Sequence, residues 1–288
     1  MKKAIIGLTL LLAVQTVASQ HLPAYQLFNK NGREVNFGKL VKRAADAQVV
    51  LFGEFHNNPI SHWLQLELSR ELAGKKGQNL VMGAEMFEAD NQLILNEYLS
   101  GLITERNFRA EAKLWRNYET DIRPLVELAR ERNIPFVATN IPRRHAALVN
   151  QRGFEGLDAL SEEAKLYIAP LPIEYDPELP GYKAMLNMPG MPGHIGPNLP
   201  KAQAIKDATM AHFIYQNLNP GGVFIHFNGA YHSNNFEGIY WYLRRLNPNL
   251  RILTISTVEQ DSVFELEEGN KGVANFIIAV PKTMTKTH

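Results

Sequence analysis

The chain has no cysteine and almost no net charge. With no Cys among 288 residues, disulfides, zinc–thiolate sites, iron–sulfur clusters and a Cys nucleophile are excluded. Thirty Lys and Arg stand against 29 Asp and Glu. That leaves no basic excess to neutralise phosphates, so nucleic acid is not an expected partner. Gly-x-Ser-x-Gly, P-loop, Gly-x-Gly-x-x-Gly and His-Glu-x-x-His sequences are missing as well. Serine hydrolases, nucleotide hydrolases, nicotinamide enzymes and the common zinc proteases are therefore disfavoured. The apolar run Ala4–Val14 has 11 residues, whereas a membrane-spanning helix needs about 20.

Apolar residues make up 45% of the chain, enough for a sizeable core, while 20 Gly and 16 Pro fall short of a disordered composition. Lys2 and Lys3, the apolar run and the small residues Val17-Ala18-Ser19 together have the layout of a secretory leader. Residues 1–19 are expected to be removed, which takes away two lysines and no acid and leaves 28 basic against 29 acidic residues. The mature chain, 20–288, is expected to be a single domain, exported to the periplasm or the cell surface. No Cys follows the leader to carry a lipid anchor, so contact with a membrane would be peripheral at most.

Residues 24–37 are expected to form a hairpin turning at Asn31-Gly32, followed by a short helix over 38–47. Val49-Val50-Leu51-Phe52 is an unbroken apolar run, as a strand buried on both faces requires. Further strands are predicted at 80–82, 134–138, 223–227, 251–257 and 274–280. Helices are predicted near 60–73, 91–99, 105–114, 125–133, 201–218 and 236–246, with short ones over 142–168. This alternation predicts an α/β fold with a mainly parallel sheet and helices on both faces. An excursion over about 141–220 interrupts it, and its stretch 170–200, rich in Pro and Met, is expected to act as a lid or substrate loop.

Ligands of open parallel sheets bind outside the carboxyl ends of the strands. Those ends carry Gly53-Glu54-Phe55-His56, Gly83-Ala84-Glu85, Thr139-Asn140 followed by Pro142-Arg143-Arg144, and Asn228-Gly229-Ala230-Tyr231-His232. Glycine at such an end lets the backbone turn or approach closely. His56, Glu85 and His232 can hold a divalent metal with an open position for water, or the histidines can simply bond loop backbone. Glu54 can orient His56 or act as a base, or it can be an acid at a helix N-terminus.

His194, in Met188-Pro189-Gly190-Met191-Pro192-Gly193-His194, can ligate haem iron or cover an apolar ligand, or sit on an ordinary surface loop. Trp115 and Tyr118 can line an apolar cavity or pack in the core. His226, inside an apolar strand, is expected to be a core histidine. His62 and His212 are expected to be surface or packing residues, and Lys206 and Asp207 ordinary surface charges.

Gly53-Glu54-Phe55-His56-Asn57, Gly83-Ala84-Glu85-Met86-Phe87, Asn140-Ile141-Pro142-Arg143, Ala202-Gln203 with Lys206 to Ala211, and Asn228 to His232 together resemble the ChaN-like haem-binding family. The resemblance runs from about residue 45 to 250. It extends to a wider superfamily with the Tiki proteases, TraB-type proteins and erythromycin esterases, whose paired Gly-x-x-His motifs and intervening Glu fall on His56, Glu85 and His232.

The resemblance implies an exported protein of haem or iron uptake, with haem or another flat apolar molecule as partner and possible homodimer formation. It places Tyr231 first and His194 second as iron ligands, Arg143 or Arg144 near the propionates, and Tyr118 in the cofactor pocket under the 170–200 stretch. The alternative it implies is a metal-dependent hydrolase of peptides or esters using Glu54, His56, Glu85 and His232. Tyr231 departs from the family pattern, where a small residue is expected; a tyrosinate at that place would bind ferric iron, or the ring merely fills the pocket.

Overall fold

A computed structural model of the chain describes residues 22–186 and 196–288. The expected leader and His194 lie outside them. Seven strands form one sheet: β1 (Gln26–Asn29), β2 (Val49–Glu54), β3 (Leu80–Glu88), β4 (Phe136–Asn140), β5 (Val223–Gly229), β6 (Ile252–Gln260) and β7 (Phe276–Pro281). Their order is β1-β7-β6-β2-β5-β3-β4. Only the β1–β7 pair is antiparallel; every other pairing is parallel.

The central strands are buried along their whole length, and successive side chains go to opposite faces. In β2, Val50 and Phe52 enter one apolar cluster, which gathers the helices Phe37–Ala45, Pro59–Lys76, Gln92–Leu99 and Arg123–Arg132. Val49 and Leu51 enter another beneath Leu199–Gln216 and Ile239–Leu246. The parallel sheet thus has helices on both faces, as the unbroken apolar runs predict. No helix among the described residues is long and apolar enough to cross a membrane.

Three local expectations change. Residues 34–37 do not form a second hairpin arm: a single bridge joins Phe28 to Glu34, and Asn36 Oδ1 accepts the Lys39 N–H to start a helix at Phe37. Capping satisfies an otherwise unpaired helix-end donor, and β7 supplies the strand partner instead. β3 runs on to Glu88, so Glu85 lies inside a strand rather than at its end. The excursion between β4 and β5 includes Leu199–Gln216, which is buried along most of its length against the sheet and neighbouring helices and is part of the sheet's cover.

Close packing also fixes Gly83 on β3. A Cβ there would lie 2.7 Å from Phe224 Cζ and 3.1 Å from the Val137 carbonyl, and Phe224 is itself buried. Gly83→Ala should lower stability by about 1–3 kcal/mol, the usual cost of overpacking a core. Urea denaturation checks this; an unchanged midpoint would show that the ring can move aside.

Candidate functional site

The two Gly-x-x-His motifs interlock. β2 and β5 are neighbours in register, with Gly53 opposite Asn228 and Glu54 opposite Gly229. A Cβ on Gly53 would stand 2.9 Å from the Cα of Ala230, and a Cβ on Gly229 would stand 2.9 Å from His56 Nε2. Each glycine therefore makes room for the other motif, a close approach that any side chain would prevent.

β3 pairs with β5 only as far as Ala84 opposite Phe227, and its pairing with β4 shifts between Ala84 and Glu88. Glu85 sits at this parting. Its Oε2 accepts the Gly229 N–H at 2.7 Å, and its Oε1 lies 3.2 Å from His232 Nε2. The other ring nitrogen of His232 is 2.5 Å from Asp207 Oδ1, and the Tyr182 hydroxyl donates to Asp207 Oδ2 at 2.7 Å. The Gln203 amide lies 2.9 Å from the same His232 nitrogen.

Burial alone would keep His232 neutral, but Glu85 and Asp207 reverse this and raise its pKa to about 10. Glu85 is also pushed up by burial, and His232 and His56 more than offset that, holding it well below the usual carboxylate range. Asp207 stays above its ordinary value, chiefly through burial. One imidazolium thus bridges two buried acids.

On the facing strand end, Glu54 is buried and 2.9 Å from His56 Nδ1, and it accepts from Gln65 Nε2 at 2.5 Å. Burial pushes the Glu54 carboxyl up, but contacts with His56 and His62 leave it lowered overall. Its role is to hold imidazoles, and the helix N-terminus is capped instead by Asn58, whose Oδ1 accepts the Ser61 N–H. For His56, burial opposes protonation while Glu54 and Glu85 favour it, and the pKa is raised.

Between the two motifs opens a cavity of about 380 Å³, lined by His56, Glu85, Glu88, Trp115, Asn140, Ile141, Arg143, Lys206 and His232. His56, Glu85, His232 and Arg143 therefore meet there as expected from the strand ends. The cavity is polar, with Trp115 and Ile141 its apolar side chains. Trp115 meets His56 edge-on, ring centroids 4.9 Å apart. Arg143 is largely exposed, its Nε 4.0 Å from Glu88. Lys206 makes no ion pair among the described residues.

Other expected residues lie elsewhere. Arg144 is committed to Asp90 at 2.6 Å and lines a neighbouring groove with Lys113 and Leu114. Tyr118 is buried in the core, edge-on to Phe87 and Phe108. Its aromatic bulk is worth more there than at a wet cavity. The apolar pocket expected beneath the 170–200 stretch exists as a cleft of about 220 Å³ lined by Ala169, Pro172, Ile173, Ala208, His212 and Tyr242. It shares no lining residue with the His56–His232 cavity, because Leu199–Gln216 is an 18-residue helix and Ala208 and His212 lie further along it than Lys206.

Tyr231 is two-fifths exposed beside His232, and its hydroxyl donates to the Gly181 carbonyl. Burial and the nearby acids Glu237 and Asp207 raise its pKa. His226 is a core histidine, with Thr139 Oγ1 on Nε2 and Asn228 Oδ1 on Nδ1. As for a metal, no group of three or more His, Asp or Glu is arranged to hold one among the described residues. His232 pairs instead with Glu85, and His56 with Glu54.

Sequence reasoning missed Asp207, Gln203 and His62. Asp207 is fully buried rather than a surface charge, and it shares one helix face with Gln203, four residues earlier. His62 is buried between Glu54 and Asp121, 3.3 Å from each. The available signal was the polar set Ser61, Gln65 and Ser69 at helical spacing, which marks a buried polar face.

The ionic pairs give stability a definite pH dependence. The raised pKa of His232 contributes stability that is complete below its ordinary value of 6.5 and lost by about 10, and His62 behaves likewise up to about 9. Glu85 and Glu54, both lowered from 4.5, contribute above that value and lose it in acid. Burial lowers the His226 pKa to about 4, so this residue costs stability as pH falls below 6.5, and thermal stability should therefore peak near pH 6.5 and decline towards 10. In His232→Gln the alkaline decline should be shallower; an identical pH profile would show that His232 is neutral in the folded protein.

A family model described as "Haem-binding uptake, Tiki superfamily, ChaN" matches residues 40–243. No curated protein matches the chain by sequence. Among solved structures, the chain resembles "Cofacial heme binding to ChaN of Campylobacter jejuni", with a TM-score of 0.67 and 15% identity over 88% of this chain and 96% of that one. A Bacillus cereus protein follows the same fold, with a TM-score of 0.54 and 10% identity over 90% and 95% of the two chains.

Proposed function

The chain belongs to the ChaN haem-binding uptake family of the Tiki superfamily, and from that premise we propose that it binds haem at the carboxyl edge of its sheet as an exported protein of haem or iron handling. The observation that carries this reading is the pairing of a partly exposed tyrosine with two cationic side chains at the adjoining cavity, of which Lys206 makes no ion pair among the described residues. Tyr231 follows β5 and Phe55 follows the neighbouring β2, and both are more than a third exposed. Lys206 and Arg143 line the adjoining cavity.

This donor set fits haem in part. A phenolate oxygen suits ferric iron, Lys206 and Arg143 suit the propionates, and Phe55 offers an apolar face. The cavity itself is too polar to receive a porphyrin, and the cleft of about 220 Å³ under Pro172 lies below the usual range of about 300–1,000 Å³ for ligand pockets. Haem would supply an iron centre and a large apolar surface. The protein's part is to release the Tyr231 proton, which requires the hydroxyl to leave the Gly181 carbonyl. Among the described residues, little apolar surface lies beside Tyr231 and Phe55 to cover haem, so a second copy is proposed to complete the site. The Campylobacter jejuni protein binds haem cofacially.

A second reading rests on the Glu54–His56 pair. A carboxylate 2.9 Å from Nδ1 fixes an imidazole that lines the cavity, the carboxylate–imidazole pairing of a general base for ester or peptide hydrolysis.

Ferric haem titrated into residues 20–288 should give a saturable Soret shift at about one haem per chain, with an altered spectrum in Tyr231→Phe. His194→Ala tests the second ligand candidate. No saturable shift in the wild type would overturn the haem reading; ester turnover that disappears in His56→Ala would then establish the second. Export has its own test: intact mass of the protein from the periplasmic or surface fraction should show a chain beginning near Gln20. A product retaining Met1 in the cytoplasm would overturn it.

A further inference from the structure

Behind His56 the structure contains a second layer of charge that neither reading uses. His62, on the first turn of the Pro59–Lys76 helix, is buried. Its Nε2 lies 3.3 Å from Glu54 Oε1 and its Nδ1 lies 3.3 Å from Asp121 Oδ1. Neither approach is well aligned with an N–H, and both ring nitrogens lack a good hydrogen bond. The contacts are ionic.

Glu54 Oε1 is the same oxygen that meets His56 Nδ1, so one carboxylate oxygen is shared between a buried and a cavity-facing imidazole. Asp121 lies in a π-helical turn, Tyr118–Ile122, a rare geometry that is often found at functional sites. Asn117, just before that turn, donates to Asp121 Oδ2 and to the backbone carbonyl of His56, each at 3.0 Å. Thr287 donates its hydroxyl to the same Asp121 oxygen at 3.0 Å and its N–H to the Asn57 carbonyl at 2.9 Å.

We propose that His62 and Asp121 are positioning residues that set the charge and orientation of His56 through Glu54, with Asn117 and Thr287 locking the 55–58 loop onto them. The proposal concerns the same cavity but does not depend on what binds there. The groups facing His56 are Glu54, Glu85 and His232, and those facing His62 are Glu54 and Asp121. At neutral pH His62 is the counter-charge of Asp121 and Glu54, its pKa raised to about 9 by those two acids against the effect of burial. As an imidazolium it draws on the charge of Glu54 and repels a proton on His56. A mere space-filling residue would do neither.

The test is NMR titration of the histidine Cε1–H resonances in the full mature chain without haem, with His56 assigned through the signal lost in His56→Gln. In His62→Gln, Glu54 is left to His56 alone, so His56 should titrate at higher pH than in the wild type. In Asp121→Asn the His62 resonance should titrate at lower pH, and the His56 resonance should respond in the same experiment. Thr287→Val, on the periphery, removes a donor that competes with His62 for the Asp121 carboxylate, so it should shift the His62 titration up, opposite to Asp121→Asn.

A His56 titration unchanged in His62→Gln, with only the melting temperature lowered, would overturn the proposal and leave His62 as packing. If His62→Gln does not fold, Asp121→Asn and Thr287→Val decide by the same criterion. Because no ligand is present, failure here is separate from failure of the haem reading, which the Soret titration decides.

Discussion

The carboxyl edge of the sheet is organised around one buried negative charge, that of Glu85. A carboxylate removed from water costs several kcal/mol unless hydrogen bonds and counter-charge replace its hydration. The Gly229 N–H and the His232 ring provide both, and each imposes a further condition. Gly229 must remain glycine because its Cβ position is taken by His56. His232 must keep its proton, so a second acid, Asp207, stands on its other side, tied in turn to Tyr182. The parting of β3 from β5 after Ala84 makes room for this carboxylate between two otherwise continuous apolar strands.

The same logic is repeated in the other half of the edge, with a difference in access. Glu54 plays to His56 the part that Asp207 plays to His232, accepting at Nδ1 and fixing the ring. His232 is buried, whereas the His56 side chain is more than a third exposed. One imidazole is therefore structural charge and the other is presented to whatever enters the cavity. Lys206 and Arg143 line the same cavity as Glu85 and Glu88. The separate apolar cleft under Pro172 has no part in this arrangement.

Much of this frame was legible in the sequence, for a definite reason. Strands buried on both faces read as unbroken apolar runs, so β2, β5 and β7 stand out, and the glycines and histidines after β2 and β5 mark where those runs end. Less legible were polar residues on the buried faces of helices. Asp207, Gln203 and His62 sit among apolar and small neighbours with weak periodicity, and their partners lie far away in sequence, where no local pattern reaches them. Tyr118 and Arg144 misled for the opposite reason. Their chemistry suits a cofactor, but Phe87, Phe108 and Asp90, which claim them, are remote along the chain or across the fold. Glu85 was recognised by type while its strand was cut too short, since β3 continues through Met86-Phe87 to Glu88.

The strand order has a consequence for how the molecule comes into being. Val49, at the start of the innermost strand, pairs with Phe224 on one side and with Ile252 on the other. Neither partner exists until most of the polypeptide has been synthesised, and parallel pairing across such distances is slow because loop closure precedes any gain in contacts. Among the described residues, the first 200 therefore hold four strands, β1 at one edge, β2 at the centre and β3 and β4 at the other edge, without the β5, β6 and β7 that join them. β3 and β4 can pair early, but β2 gains both of its neighbours only when β5 and β6 have been made.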